Sequence, residues 1–221
     1  MSAQAAARHG GHGHGGGDPN HLGHGDTPIS EQGPASKRIV VAYGFWIFLL
    51  SDIIMFAAIF AGYAAVSGRT AGGPSGADLF ELRSVAIQTL LLLTSTLTCG
   101  LAAAATERRR VAAIQLWYAV TGVLGLAFLG LEVAEFRHMV AEGAGPARSA
   151  FLSAFFTLVG CHGLHVAVGL LWLATVMAQL KVRGFQPYVL RRAYCFNLFW
   201  HALDIVWVAL FSLVYLWGLG S

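Results

Sequence analysis

Residues 150–180 read AFLSAFFTLVGCHGLHVAVGLLWLATVMAQL, a run without a single Asp, Glu, Lys or Arg. A helix needs only about 20 predominantly apolar residues to cross a bilayer, so this stretch is long enough to span a membrane. Working outward, four more stretches of the same kind occur, at about 40–66, 85–106, 111–139 and 193–218. The sequence therefore predicts an all-α integral membrane bundle of five transmembrane helices over residues 39–221. Residues 1–38 are predicted to form a disordered Gly/His-rich cytoplasmic tail.

Composition agrees with that class. Hydrophobic residues make up 56% and charged residues 11% of the 221, and the mean hydropathy is +0.63, outside the range of a soluble domain. The net charge of +3 calls for no nucleic-acid partner, because the basic residues fall at span ends, where they face anionic headgroups. Cys99, Cys161 and Cys195 all lie within spans and form no CxxC or CxxCH pattern, which supports neither a disulfide nor a covalently attached haem.

The tail RHGGHGHGGGDPNHLGHGD, residues 8–26, carries five of the nine histidines and too few apolar residues to bury anything. It has no apolar region followed by a cleavage site, so it does not read as a signal peptide. Lys and Arg are distributed unevenly between the two sides. Ten fall in the tail, the 2–3 connection and the 4–5 connection, against four on the other side: Arg69, Arg83, Arg137 and Arg148. Positive residues stay in the cytoplasm, which predicts a cytoplasmic amino terminus and a periplasmic carboxyl terminus. The 1–2 loop, SGRTAGGPSGADLFELRS, is the longest and should place Asp78 and Glu81 at the outer surface. The short 3–4 loop, AEGAGPARS, makes spans 3 and 4 antiparallel neighbours. Small residues in AGYAA, CGLAAAA and GVLGLAFLG let helix backbones approach closely, as helices in lipid require.

An ionisable side chain at mid-membrane costs about 2.5–3.5 kcal/mol on insertion scales. Seven residues meet that description: Asp52 in span 1, Glu132 and Glu135 in span 3, His162 and His165 in span 4, and His201 and Asp204 in span 5. Three spans use an i, i+3 pair, which puts both groups on one face. Asp52, the span 4 histidines and Asp204 can lie at similar depths, with Glu132 and Glu135 nearer the outer surface. A di-iron bundle would need Glu-x-x-His, whereas this chain spells ExxE, HxxH and HxxD. A proton path lined by Asp52 and the span 4 and 5 residues is a second reading. A third is mutual satisfaction of these groups across helices. An intramembrane serine protease lacks its GxSxG-like nucleophile.

Five stretches then take on meaning together: GFWIFLLSD, TAGGPSGADLFEL, GLEVAEFRH, FLSAFFTLVGCHGLHVAVGLLW and FWHALDIVWVALFSLVYLWG. From about residue 43 to the end the chain resembles subunit III of a haem-copper terminal oxidase. Its most specific pieces are the span 4 block and the block Trp200, His201, Asp204, Trp207. The five-helix length, the TAGGPxGxDxFEL loop and the His-rich tail are most similar to the bo-type ubiquinol oxidase version. The resemblance implies an accessory subunit of a proton-pumping respiratory oxidase in the bacterial inner membrane, with no redox centre, metal or catalytic residue of its own. Haems and copper would belong to subunit I, where quinol is oxidised and oxygen reduced to water. Subunits I, II and IV and bound phospholipid are the partners it implies. Asp52 occupies the position of an acidic residue linked in the family to a lipid cleft and to sustained turnover. Glu135, His162, His165, His201 and Asp204 match the family's bundle interior, and the two histidines become interhelical hydrogen-bond partners. Gln88 stands where bo-type relatives have an intramembrane Glu, and Arg83 where they have Pro. A longer family member's two extra amino-terminal helices are missing, which implies that another chain, subunit I, covers that surface. The alternatives are a cytochrome c oxidase subunit III, a stand-alone membrane di-iron oxidase, or a transporter.

Overall fold

The computed structural model describes residues 37–69 and 82–216. The expected tail up to position 36, and Asp78 and Glu81 of the first loop, lie outside the described residues.

Five long helices run through the described chain: α1 Lys37–Val66, α2 Leu82–Glu107, α3 Val111–Ala141, α4 Ala150–Arg183 and α5 Pro187–Leu210. Each contains a window apolar enough to cross a membrane, and no strand occurs among the described residues. The helix starts have local causes. Ser149 caps α4 by accepting the amide of Leu152 at 3.1 Å, which satisfies one of the free N–H groups of the first turn. Pro187 opens α5, where its missing N–H costs nothing. For this reason α5 begins several residues before the apolar run, and Arg191 and Arg192, expected in a loop, lie in its first turns. Gly184 ends α4 at φ +62°, a conformation that penalises any Cβ. Beyond Leu210 the helix widens to a π turn over Phe211–Leu216.

The three-residue link between α2 and α3, with Arg109 in the left-handed region at φ +51°, makes those helices antiparallel neighbours. They form the most extensive helix pair. The α3–α4 pairing expected from the short loop is also present, and α4 packs on α5, α5 on α2, and α1 on both α4 and α5. The end of α1, the start of α2 and the α3–α4 connection share one end of the bundle, here the α3–α4 end. The α2–α3 and α4–α5 connections share the other.

The core lies around α5. Trp200, Trp207, Tyr118, Tyr215, Phe128, Phe155 and Phe196 are its largest fully buried side chains. Half of α5's most apolar window is buried against 11% of α1's, so most of α1's surface is left to lipid or to another chain.

Of the glycines in the three small-residue stretches, those of GVLGLAFLG at 122 and 125 lie against another helix. A Cβ at Gly125 would meet the Trp200 ring at 3.0 Å, and one at Gly122 would meet Leu173 at 3.3 Å. Gly62 and Gly100 face open space.

Candidate functional site

The intramembrane polar residues fall into three neighbourhoods. The first joins α1 to α4. Asp52 is half-buried and lies near Cys161 of α4. One turn on, the buried Phe56 ring packs against both helix 4 histidines, with centroids 6.4 Å from His162 and 5.2 Å from His165. Two turns further, Tyr63 packs on Phe151 at 5.9 Å. Leu49, Phe56 and Tyr63, the buried side chains of α1 among the described residues, thus form a stripe at helical spacing, with Asp52 at its edge.

The second neighbourhood involves the histidines and Asp204, and here the structure departs from expectation. His165 Nδ1 lies 2.7 Å from the carbonyl oxygen of Cys161, and His201 Nδ1 lies 2.7 Å from that of Asn197. A carbonyl can only accept, so Nδ1 carries the proton in both rings. The partner is in each case the residue's own helix, four residues back, and not a neighbouring helix. His162 is fully buried, and neither of its nitrogens has a hydrogen-bond partner among the described residues. Aromatic side chains surround it: Trp207 at 5.2 Å, Phe128 at 5.9 Å and Phe56. Asp204 is buried on α5, near Thr96 of α2 and one turn from His201.

The third neighbourhood sits toward the α3–α4 end. Gln88 of α2 donates from Nε2 to Glu135 Oε2 at 2.8 Å. The residue standing where relatives carry Glu therefore serves as a neutral donor to a carboxyl of α3. Glu132, one turn earlier on α3, is buried, and its carboxyl lies directly against Gly163 of α4. A Cβ there would overlap Glu132 Oε1 and come within 2.9 Å of Cδ. Tyr215, in the π turn, is close enough to feel the charges of both glutamates and of Tyr63.

The helices are tied together by uncharged residues that the charge-based reading missed. Thr98 and Thr121 hydroxyls pair at 2.9 Å between α2 and α3, and Ser95 donates to the Thr121 carbonyl at 3.2 Å. From α5, Trp200 Nε1 donates to Ser95 Oγ at 3.1 Å and Trp207 Nε1 to Thr89 Oγ1 at 3.1 Å. Asn197 Oδ1 accepts from Cys99 Sγ at 2.9 Å and from the Tyr118 hydroxyl at 3.3 Å. Gln115 Nε2 reaches the Met177 carbonyl of α4 at 2.8 Å. Such bonds contribute about 0.6 kcal/mol each on average in membrane bundles. The signal that could have found them is the run TSTLT at 94–98 inside an apolar span.

Among the described residues no group of three or more His, Cys, Asp or Glu side chains is placed to hold a metal ion. The arrangement ties helices together and keeps acidic and imidazole groups inside the apolar bundle.

Residues 31–219 match the family described as cytochrome c oxidase subunit III. The chain belongs to this family. It is 51% identical over 176 residues to the cytochrome bo(3) ubiquinol oxidase subunit 3 of Pseudomonas aeruginosa, covering 80% of this chain and 84% of that one. With the quinol oxidase subunit 3 of Bacillus subtilis it shares 41% over 203 residues, 91% of this chain and 98% of the other. With the cytochrome c oxidase subunit 3 of a Bacillus species, strain PS3, it shares 46% over 176 residues, 80% and 85%. As a subunit III of a haem-copper terminal oxidase, the chain is a non-catalytic, multi-pass inner-membrane component of an oxidoreductase complex, and its partners are other subunits of that complex. The haems and copper of such a complex belong to subunit I.

Proposed function

We propose that this subunit III serves a quinol oxidase, packs through α1 against subunit I, and keeps the catalytic subunit active over many turnovers. Subunits II and IV complete the assembly. The observation that carries the docking surface is the state of α1. Tyr43, Ile47, Leu50 and Ile54 are exposed and share the face of α1 opposite the one that Asp52, Phe56 and Tyr63 turn to α4. Among the described residues no helix covers that face, and the tight packing that drives helix association in lipid makes it the surface for a partner chain. The donor branch rests on the 51% identity to a ubiquinol oxidase subunit, against 46% to a cytochrome c oxidase subunit.

The same reading places bound phospholipid in a crevice of about 780 Å³ between α1, α2 and α5, at the α4–α5 end. Val41, Ala103, Ala104 and Tyr194 line it for acyl chains, and Arg191, also in its lining, supplies a cation for a phosphate. In the orientation proposed from the Lys and Arg count, that end is cytoplasmic. The deciding experiment is purification of the complex through a tag on this chain, with haem spectra and turnover measured on ubiquinol and on reduced cytochrome c. Co-purifying haem with quinol turnover is expected. Turnover on cytochrome c alone would reject the quinol branch, and absence of haem would reject the assembly.

A further inference from the structure

The third neighbourhood gathers buried polar atoms that the described residues leave without hydrogen-bond partners. Glu132 Oε2, Gln88 Oε1 and both nitrogens of His162 are buried and have no hydrogen-bond partner among the described residues. Glu132 and Gln88 belong to one unit, because Gln88 donates to Glu135 one turn along α3. His162 joins it because the Glu132 carboxyl rests on Gly163, the next residue of α4, and the His162 ring packs on Phe128, one turn before Glu132. Each such atom left without a partner costs about 1–3 kcal/mol, and buried polar groups are satisfied by protein or by ordered water.

A neutral imidazole offers one donor and one acceptor, too few for two carboxyl or amide oxygens. The missing ligand must therefore be rich in donors and small. A metal ion would want three or more strong ligands, and no such group is placed for one among the described residues. Water offers two donors and two acceptor lone pairs, which matches this set of groups.

The groups also form a descent. At about 1.5 Å per residue, Tyr63 lies about 5 Å from the end of α1, Gln88 about 9 Å from the start of α2, Glu132 about 14 Å from the end of α3, and His162 about 18 Å from the start of α4. All four depths are measured from the α3–α4 end. Glu135 is half-buried near its top, and Tyr215 lies within electrostatic reach of Glu135, Glu132 and Tyr63. At the bottom, His162 lies within electrostatic reach of His165.

We propose that these residues line a narrow hydrated pocket, open at the α3–α4 end, in which ordered water joins Glu132 to His162 and exchanges protons with the aqueous phase on that side. Gly163 gives the pocket its width, since any Cβ there would push the Glu132 carboxyl aside. The proposal is independent of which electron donor the complex uses.

The test uses the intact oxidase complex. In a map resolved finely enough to show water, a peak is expected within hydrogen-bond distance of Glu132 Oε2 and of a His162 nitrogen, with further peaks toward Glu135. A direct Glu132–His162 contact with nothing between, or a peak with metal coordination, overturns the proposal. Infrared spectra supply the second readout. The bands lost in Glu132→Gln should shift within minutes of transfer of wild-type complex to D2O, and His162→Phe should abolish the water peak. Bands unmoved after hours mean a dry, closed cluster and refute it. If neither variant assembles, the wild-type map decides alone.

Discussion

Substituting Ala for Gly169 should destabilise the bundle, whereas the same change at Gly160, on the same helix, should not. A Cβ at Gly169 would lie 2.9 Å from Trp200 Cζ3, 3.2 Å from Trp200 Cε3 and 3.2 Å from Phe199 Cε1. The indole cannot withdraw: Gly125 of α3 holds its Cζ2 and Cη2 atoms, which a Cβ there would meet at 3.0 Å, and its Nε1 is tied to Ser95. Overpacking of a well-filled core costs about 1–3 kcal/mol. Replacing a mid-helix Gly by Ala returns about 0.5–1 kcal/mol. The net expectation for Gly169→Ala is a loss of about 0–2.5 kcal/mol, centred on about 1 kcal/mol. At Gly160 the nearest atom, Phe136 Cε2, would be 3.7 Å away, an ordinary contact, so only the gain remains. The assay is the temperature at which the chain leaves the detergent-solubilised complex, with haem content normalised to subunit I. Gly169→Ala should lower that temperature, and Gly160→Ala should hold or raise it. A Gly169→Ala complex at least as stable as wild type would refute the account of Trp200 as an immobile ring.

Trp200→Phe and Ser95→Ala should each weaken retention by about 1 kcal/mol, and the double variant should cost less than the sum, because both remove one hydrogen bond; a strictly additive cycle would deny the bond. His165→Ala and His201→Ala should have small effects on retention, since each ring serves a carbonyl that already accepts within its own helix; detachment of the chain would restore the interhelical role expected from sequence. Asp52→Ala should keep the haem spectrum and the initial rate but shorten the number of turnovers before activity decays, followed by continuous oxygen uptake; wild-type persistence would remove Asp52 from that role. An alkaline phosphatase fused after Ser221 should be active, placing the carboxyl terminus in the periplasm, and an active cytoplasmic reporter there would invert the orientation.

The fold was legible because five long, predominantly apolar runs leave little choice in a solvent that cannot satisfy open backbone groups. Their edges were less so. The α5 start was set by Pro187 and not by hydropathy, which explains the misplacement of Arg191 and Arg192. The candidate residues were found by charge, and the structure gathers Glu132, Glu135 and His162 with Gln88, Gly163 and Tyr215. What charge could not reveal was direction. A histidine at i, i+3 spacing reads the same whether its ring turns to a neighbour or, as in His165, back to the carbonyl of Cys161. The uncharged ties, Thr98 to Thr121 and Trp200 to Ser95, were hidden because Ser, Thr and Trp carry little penalty in an apolar run and so raise no alarm.

Trp200 and Trp207 reach from α5 into α2 by hydrogen bonds, and Trp200 lies between two glycines of α3 and α4. Ribosomes make α5 after the other four helices. Until it emerges, Ser95 and Thr89 lack their indole donors, and the space between Gly125 and Gly169 has no ring to fill it. The nascent bundle is therefore an open mould that only its final helix can close. A chain stopped short of Trp200 carries polar hydroxyls and a gap facing lipid, the very marks by which membrane quality control can tell an unfinished product from a completed one.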